Sequence, residues 1–202
     1  MSSTLKSLLI AASLISAPAA FAASPVTPVS ASNNGLVLID GADLSILFDG
    51  YIAPEGTPYQ TDSVSWFNQV GSSGVTLDFD FGQLYTLSDV VIGVDHNDFY
   101  QVQVSVDGSV WNTLFTNLAF EGQSNFGSEI ISSVAGDPEY QATIDFPTTV
   151  ARYARIYAVG GDNAFSVSEV SFSGVAVVPV PETWALLIAG LGLIGAIAYR
   201  RS

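Results

Sequence analysis

Two predicted loops combine aromatic rings with planar polar side chains, the residue types that bind sugars. A ring packs against the C–H face of a sugar, and amide or imidazole groups bind its hydroxyls. The alternative for each aromatic is that it closes the end of the core, and for the histidine that it satisfies neighbouring backbone groups. The predicted ligand-binding residues are Trp66, Asn68, His96, Asn97 and Tyr100.

A pair of carboxylates is the one arrangement in the sequence that resembles a catalytic site. Asp78 and Asp80 share one face of a predicted strand, roughly 6.5–7 Å apart, which overlaps the separation used by paired-carboxylate glycosidases. Nothing near them in the sequence would raise one pKa selectively, so a solvated or arginine-paired surface is favoured. The sequence has no Gly-x-Ser-x-Gly segment, so its single His has no identifiable nucleophilic serine with which to form a catalytic triad. We therefore predict that the protein is not an enzyme, with a glycoside hydrolase as the least favoured alternative.

Short strands account for the middle of the sequence. From Val75 to Gly82 apolar and polar residues alternate strictly, the pattern of a strand with one buried face. The turn pair Asp107–Gly108 predicts a hairpin whose return strand runs from Trp111 to Phe115. Further strands are predicted at Val90–Val94, Tyr100–Val106, Gln141–Phe146, Arg152–Val159 and Ser166–Phe172. The fold class is therefore all-β, an antiparallel sandwich.

The first 23 residues have the layout of a secretory signal peptide. Lys6 precedes a short apolar run, and Ala20-Phe21-Ala22 offers small residues for cleavage. We predict a signal helix over residues 1–23, a Pro/Ser/Thr-rich linker over 24–34 and the folded domain over 35–175.

The last residues of the chain read as a membrane anchor. A linker over 176–183 precedes the uncharged stretch from Trp184 to Tyr199, which spans roughly 24 Å as a helix. Arg200 and Arg201 follow it, and the positive-inside rule places them, with the rest of residues 200–202, on the cytoplasmic side. We therefore predict a transmembrane helix over 184–199, with the domain on the outer side of the membrane.

The charge of the protein excludes some partners. The formal net charge is −14, and Arg152 and Arg155 are the only basic residues between Ser24 and Val180. Such a surface repels nucleic acid and anionic membranes, and it makes acidic polysaccharides poor ligands unless a cation bridges them. Neutral glycans and divalent cations remain open. The two arginines are predicted to be structural, pairing with acids such as Asp80 or Asp145. With no cysteine in the sequence, the exported domain has no disulfides.

The C-terminal tail resembles the PEP-CTERM sorting signal of Gram-negative bacteria. The resemblance rests on Pro181 and Glu182, the apolar helix after them, and the basic pair Arg200 and Arg201. Thr183 stands where that family has a second proline. The resemblance implies export across the inner membrane, an exosortase-type membrane protease as partner and membrane anchoring before processing. The processed protein would then lie at the cell surface or in the extracellular matrix.

The domain itself resembles the discoidin-like, coagulation-factor C-type galactose-binding domain. Six segments occur in the order of that family: Phe48–Gly50, Leu77–Gly82, Leu87–Ile92, Val102–Trp111, Ala151–Ile156 and Ser168–Val170. The resemblance implies an eight-stranded jelly-roll (galactose-binding-like) sandwich that binds a glycan, a lipid headgroup or a protein through loops at one end. It also implies a structural Ca²⁺ held by Asp49, Glu169 and backbone carbonyls around 43–50, since Ca²⁺ takes six to eight oxygens. The alternative is that Asp49 caps a turn and Glu169 is solvated.

These observations together favour an exported, surface-sorted, non-catalytic module. Its expected ligand is an extracellular polysaccharide or another glycan in a biofilm matrix. A structural or adhesive matrix protein that binds other proteins is the alternative, and an exposed apolar rim at the loops would point to it.

Overall fold

The chain forms strands almost throughout its central part. The computed structural model describes residues 22–41, 43–71, 75–122, 124–178 and 182–200. Within them the strands are β1 (Ser24–Val26), β2 (Ser30–Asn34), β3 (Val64–Phe67), β4 (Thr76–Asp95), β5 (Phe99–Ser105), β6 (Asn112–Asn117), β7 (Ser128–Ser132), β8 (Thr149–Gly160) and β9 (Ala164–Ala176). Short 3₁₀ helices occupy Ile39–Gly41, Leu44–Phe48 and Ala142–Ile144, and α1 (Glu182–Arg200) follows the domain.

All strand pairs are antiparallel, and β4 connects the two layers of the β-sandwich. Its first part pairs with β2 and β8, and its second part pairs with β9 and β7. The register against β8 shifts between Asp80 and Tyr85, around Gly82, which has a φ of 76°. This bend lets one strand contribute to both layers, so the two predicted strands at Val75–Gly82 and Val90–Val94 are parts of one. The sheet order is β1-β9-β4-β8-β5-β6, with β2 and β7 also on β4 and β3 on β9.

The alternating pattern correctly predicts which side chains enter the core. Leu77, Phe79 and Phe81 are buried, while Asp78 and Asp80 lie on the opposite face of β4. The ring of Phe81 lies 5.6 Å from that of Phe172 on β9, so β4 and β9 share one core. Each such side chain contributes roughly 1.5–3 kcal/mol by leaving water. The antiparallel β-sandwich predicted from the sequence is confirmed.

Several local predictions are corrected. The segment 24–34, predicted as a linker, contains β1 and β2, which are edge strands on β9 and β4. The predicted strand Gln141–Phe146 is instead a 3₁₀ helix at Ala142–Ile144. The strands β3 and β7 were not predicted. Strands of four or five residues are too short to show a clear alternation, and they depend on hydrogen bonds to distant partners.

The C-terminal helix α1 contains the predicted transmembrane segment. Its side chains from Leu187 to Arg200 are exposed. Among the described residues, no helix combines the length and apolarity that a membrane crossing requires. Residues 1–21 of the predicted signal peptide lie outside the described residues, as do Pro181 and Arg201, and the side chain of Glu182 is likewise not described.

Candidate ligand-binding site at the loop end

Four loops converge at one end of the sandwich, which we call the loop end. They are residues 54–63, the β4–β5 turn at 96–98, the segment 118–127 and the β8–β9 turn at 161–163. The backbone N–H of His96 donates to Gly127 at 3.0 Å, and that of Phe120 donates to His96 at 2.6 Å. The N–H of Gly56 donates to Ser128 at 2.8 Å. These bonds hold loops that are far apart in sequence around a common opening.

A pocket of about 230 Å³ opens at the loop end. Two of the predicted ligand-binding residues, His96 and Asn97, line it together. The other lining residues were not predicted. The full set is Pro58, Tyr59, Asp95, His96, Asn97, Phe126, Gly127, Asp162 and Ala164.

Two buried polar atoms of the pocket make no hydrogen bond to the described residues, although one of them, His96 Nδ1, contacts an acid. Asn97 donates through Nδ2 to Asp162 Oδ2 at 2.9 Å, but its Oδ1 is buried and accepts no hydrogen bond from the described residues. His96 Nδ1 lies 3.4 Å from Asp95 Oδ1 and is likewise buried without a hydrogen bond there. An unsatisfied buried polar group costs about 1–3 kcal/mol. A ligand hydroxyl that donated to Asn97 Oδ1 would recover part of that energy.

Two exposed phenylalanines stand beside these polar atoms. Phe126 lines the pocket and is 61% exposed, and Phe120 is 73% exposed. The ring of Phe120 packs edge-on against His96 at 5.8 Å, and its backbone φ of 62° is unusual for a residue with a bulky side chain. The segment 118–127 therefore presents aromatic surface to solvent next to hydrogen-bonding groups.

A fully buried acid lies beneath the pocket. Asp98 accepts from the backbone N–H of Asp162 at 3.1 Å and from the Tyr100 hydroxyl at 3.4 Å. Burial, together with the charges of Asp95 and Asp162, raises the pKa of Asp98 to about 7 despite these hydrogen bonds. A Cβ on Gly161, whose φ is 137°, would lie 1.7 Å from Asp98 Oδ1, so only glycine fits there. Asp98 thus fixes the turn that carries Asp162.

Two predicted site residues belong to the core instead. Trp66 and Tyr100 are both fully buried, with ring centroids 6.2 Å apart, and Trp66 also packs 5.7 Å from Phe165. The indole Nε1 of Trp66 donates to the Gln69 carbonyl at 3.1 Å, so its polar atom is satisfied internally. Their prediction as ligand-facing residues is corrected, because neither ring reaches solvent. Asn68 is exposed with a φ of 55° and does not line the pocket.

A second acidic cluster supports the 118–127 segment. Glu55, Glu129 and Glu139 each bring a carboxylate oxygen within 4.8 Å of the others, and burial raises the pKa of Glu55 and Glu139. Glu129 Oε2 accepts from the backbone N–H of Ser124 at 2.6 Å, and the Ser124 hydroxyl donates to the Phe126 carbonyl at 2.7 Å. The cluster therefore helps to position Phe126. The sequence gives no signal of it, since the three glutamates are far apart in the chain.

The predicted metal ligands Asp49 and Glu169 lie together in another pocket, of about 210 Å³. Glu169 is 1% exposed, and its Oε2 has no hydrogen-bond partner among the described residues. Burial, together with the charge of Asp49, raises the pKa of the Glu169 carboxyl to about 7. The backbone hydrogen bond from Gly50 opposes this shift. A buried, unpartnered carboxylate oxygen beside a second carboxylate is a donor set that suits a hard cation such as Ca²⁺.

The pair Asp78 and Asp80 is not arranged for acid–base catalysis. Arg152 binds Asp80 through two hydrogen bonds of 3.0 Å, which holds the pKa of Asp80 below its usual range, and Thr76 donates to Asp78 at 2.6 Å. The predicted Arg152–Asp80 pair is thereby confirmed. Arg155 forms no ion pair with an acid among the described residues, and it donates instead to Gln103 Oε1 at 2.8 Å.

A two-layer β-sandwich with a polar and aromatic pocket among its loops is typical of small β-domains that bind a ligand through their loops. The F5/8 type C domain family matches residues 31–170, and the chain belongs to that family. Its members are typically non-catalytic, in agreement with the prediction that this domain is not an enzyme. The PEP-CTERM protein-sorting motif matches residues 177–202, as predicted. This motif implies export and C-terminal processing by an exosortase.

Several solved structures resemble the domain at low identity. A truncated AlyQ with CBM32 and alginate lyase domains is 16% identical over 77% of this chain and 34% of its own, with a TM-score of 0.49. A family 89 glycoside hydrolase from Clostridium perfringens is 16% identical over 76% of this chain and 15% of its own, with a TM-score of 0.49. This chain therefore spans about a third or less of those two proteins.

A third structure is similar over nearly its full length. Chitosan-binding module 2 of a chitosanase/glucanase from Paenibacillus sp. IK-5, in complex with chitotriose, is 17% identical over 73% of this chain and 97% of its own, with a TM-score of 0.46. These identities are too low to transfer a ligand to this chain. No curated protein matches the chain in sequence.

Proposed function

We propose that the protein is an exported, surface-sorted module that binds an extracellular glycan in the loop-end pocket. The observation that carries this proposal is the buried Asn97 Oδ1, which accepts no hydrogen bond from the described residues and lies in one pocket with His96 and the exposed ring of Phe126. Such a pocket offers a sugar both a hydrogen-bonding side and an apolar side.

The charge of the pocket favours a neutral glycan. Asp95 and Asp162 line it, and none of the lining residues is Lys or Arg. A uronate or sulfate group would meet negative charge there unless a cation bridged the two. Polysaccharide of a biofilm matrix is the ligand class that we infer from this charge and from surface sorting.

We infer that the tail guides the domain to its place of action. The sorting motif supports an exosortase-type protease as partner, with α1 holding the protein in the inner membrane until it is processed. The domain would then reach the cell surface or the matrix. Thr183, in place of the second proline of the motif, lies next to the expected processing point.

We further propose that Asp49 and Glu169 hold a structural Ca²⁺. The buried Oε2 of Glu169 and the carboxylate of Asp49 would supply oxygen ligands, together with carbonyls around 43–50. The ion would neutralise two acids where no Lys or Arg lines the pocket and would tie the 48–50 turn to β9. The ion would stabilise the fold and would take no part in a catalysed reaction.

A specific observation favours protein binding as the second candidate. Leu118, Phe120 and Phe126 are all exposed on one segment at the loop end, and clustered apolar side chains often mark protein contacts. An adhesive matrix protein would use this apolar surface without the polar atoms of the pocket.

A glycan array with the full-length chain tests the main proposal. We expect saturable binding to a narrow set of neutral glycans, weakened about tenfold or more by Asn97→Ala. Asn34→Ala, the same change at an exposed position of β2 outside the pocket, is the matched control and should bind like the wild type. A blank array, or equal binding by Asn97→Ala, would contradict the proposal. Co-purification that depends on Phe120 and Phe126 would then favour the protein-binding alternative.

A further inference from the structure

A groove on the outer face of the first layer lies apart from the loop-end pocket. It opens between the edge strand β2, the first part of β4, the start of β8 and the β5–β6 turn, and its volume is about 300 Å³. We call it the outer groove. Its side chains include Ser30, Ser32, Asp78, Asp107, Trp111 and Tyr153. No residue of this set lines the pocket at the loop end.

Both arginines of the domain support the aromatic rings of this groove. The guanidinium carbon of Arg155 lies 4.2 Å from the ring centroid of Trp111, and that of Arg152 lies 4.9 Å from the ring centroid of Tyr153. Arg155 is held by a hydrogen bond to Gln103, and Arg152 is held by its hydrogen bonds to Asp80. They are the only basic residues between Ser24 and Val180. The two rings are therefore held in place by cation–π contacts on a hydrogen-bonded sheet face.

Several polar groups in the outer groove are free to bind a ligand. The indole Nε1 of Trp111 and the hydroxyls of Tyr153, Ser30 and Ser32 make no hydrogen bond to any described residue. By contrast, Asp107 is engaged as a turn cap, accepting from the backbone N–H groups of Ser109 and Val110. A ligand in the groove would thus find unoccupied donors and acceptors around two fixed rings.

The chemistry of the groove selects among ligands. Fixed aromatic rings surrounded by free hydroxyls and an indole N–H match the alternating apolar and hydroxylated faces of a sugar. Asp78 can accept from sugar hydroxyls, and Asp78 and Asp107 repel uronates and sulfates, whereas Arg152 offsets the charge of Asp80. An anionic polymer is therefore a poor fit.

We propose that the outer groove is a second carbohydrate site, which binds a neutral oligosaccharide segment on the sheet face through Trp111 and Tyr153. It is additional to the loop-end pocket and does not depend on it. A domain with two separate sites can hold two glycan chains at once, so it would cross-link a polysaccharide network rather than only attach to it.

Calorimetric titration of the full-length chain tests this proposal. The probes are cellohexaose, laminarihexaose, xylohexaose and mannohexaose, with a hexaguluronate as the acidic comparator. The key background is Asn97→Ala, which impairs the loop-end pocket. We expect Asn97→Ala to keep saturable binding to at least one neutral hexasaccharide. The double variant with Trp111→Ala should lose that binding by at least about tenfold.

Two further variants separate a binding role from a folding role. Ser32→Tyr fills the groove from an exposed edge strand and should also abolish the residual binding without lowering the melting temperature. Val110→Ala, an exposed neighbour of Trp111 outside the groove lining, should leave binding unchanged.

The proposal is overturned if Asn97→Ala alone removes all binding, if neither Trp111→Ala nor Ser32→Tyr weakens the residual binding, or if no neutral probe binds. If Asn97→Ala binds like the wild type while Trp111→Ala does not, the outer groove stands and the loop-end pocket fails.

Discussion

The interior at the loop end and the outer face of the first layer each contain a tryptophan, a tyrosine and an aspartate. In the interior these residues are buried, and on the outer face they are partly exposed. Inside, Trp66 and Tyr100 are fully buried and Asp98 has no basic partner among the described residues, so burial raises its pKa to about 7. On the outer face, Trp111 and Tyr153 are partly exposed and stack on arginines. There Arg152 holds the pKa of Asp80 below its usual range.

This comparison shows that burial, rather than residue type, decides whether a set of Trp, Tyr and Asp side chains stabilises the fold or can bind a ligand. The interior group stabilises the fold and fixes the 161–163 turn, because its polar atoms are satisfied internally. On the outer face, the indole N–H of Trp111 and the hydroxyl of Tyr153 make no hydrogen bond to any described residue. Binding is therefore expected where rings are rigid but partly exposed, and stability where they are enclosed.

The largest expected effect separates the two tryptophans. Trp66→Ala should lower the free energy of unfolding by about 3–5 kcal/mol, because it leaves a cavity between Tyr100 and Phe165. Trp111→Ala should lower it by about 1 kcal/mol or less, since it removes one stacking contact on the surface. Urea unfolding of both variants checks this. Similar losses in the two variants would mean that Trp111 is also a core residue.

The next effect concerns Glu169, which, like Asp98, is a buried acid with no basic partner among the described residues. Its pKa is raised from 4.5 to about 7, so the folded state binds the proton more tightly than the unfolded chain does. Without Ca²⁺, its contribution to stability is therefore fully present below about pH 4.5 and is lost as the pH rises through 7. Asp98 changes stability in the same direction. In EDTA we expect a lower melting temperature at pH 8 than at pH 5.

Calcium should reverse that loss at pH 8. At a hundred times its Kd, one bound ion stabilises a protein by about 2.7 kcal/mol. Glu169→Gln keeps the side-chain size, removes the charge and should abolish the response to Ca²⁺. Asp145→Asn, an exposed acid outside this pocket, should preserve it. Identical melting curves of the wild type in Ca²⁺ and in EDTA would remove Asp49 and Glu169 as metal ligands.

The smallest expected effect is at the outer ion pair. Asp80→Asn should change the melting temperature by less than about 4 °C, because both partners are partly exposed and exposed pairs contribute little. The pKa of Asp80 is lowered, so its contribution is present above pH 3.8 and is lost as the pH falls through the lowered value. Thermal melting at pH 3 and pH 7 measures it. A large loss at pH 7 would show that the outer face is as critical to folding as the interior.

Much of the fold was predictable because periodicity is a local property. The alternation at Val75–Gly82 identified the buried face of β4, and the Asp107–Gly108 turn identified the β5–β6 hairpin. The sequence did not show that β4 continues through a bend to Asp95, since that depends on pairing with β8 on one side and β9 on the other.

The loop-end pocket was predictable only in part. His96 and Asn97 stood out because they follow a strand and combine polar and planar groups, and both line the pocket. Tyr59, Phe126 and Asp162 were not predicted, because they come from loops whose proximity is set by backbone hydrogen bonds between distant segments. Trp66 was assigned to the pocket because a tryptophan in an irregular segment looks the same whether it points outward or inward.

The sequence by itself determined the strand periodicity, the strongly acidic composition, the family and the sorting tail. Each of these depends on residue types and on short-range order along the chain. Only the tertiary structure decided which aromatics are enclosed and which are presented, and which acids are paired and which are buried alone. The physical reason is that burial and electrostatic partnership are set by contacts between distant segments. Asp80 pairs with Arg152, while the pKa of Glu169 is set by burial, the charge of Asp49 and a hydrogen bond from the backbone of Gly50.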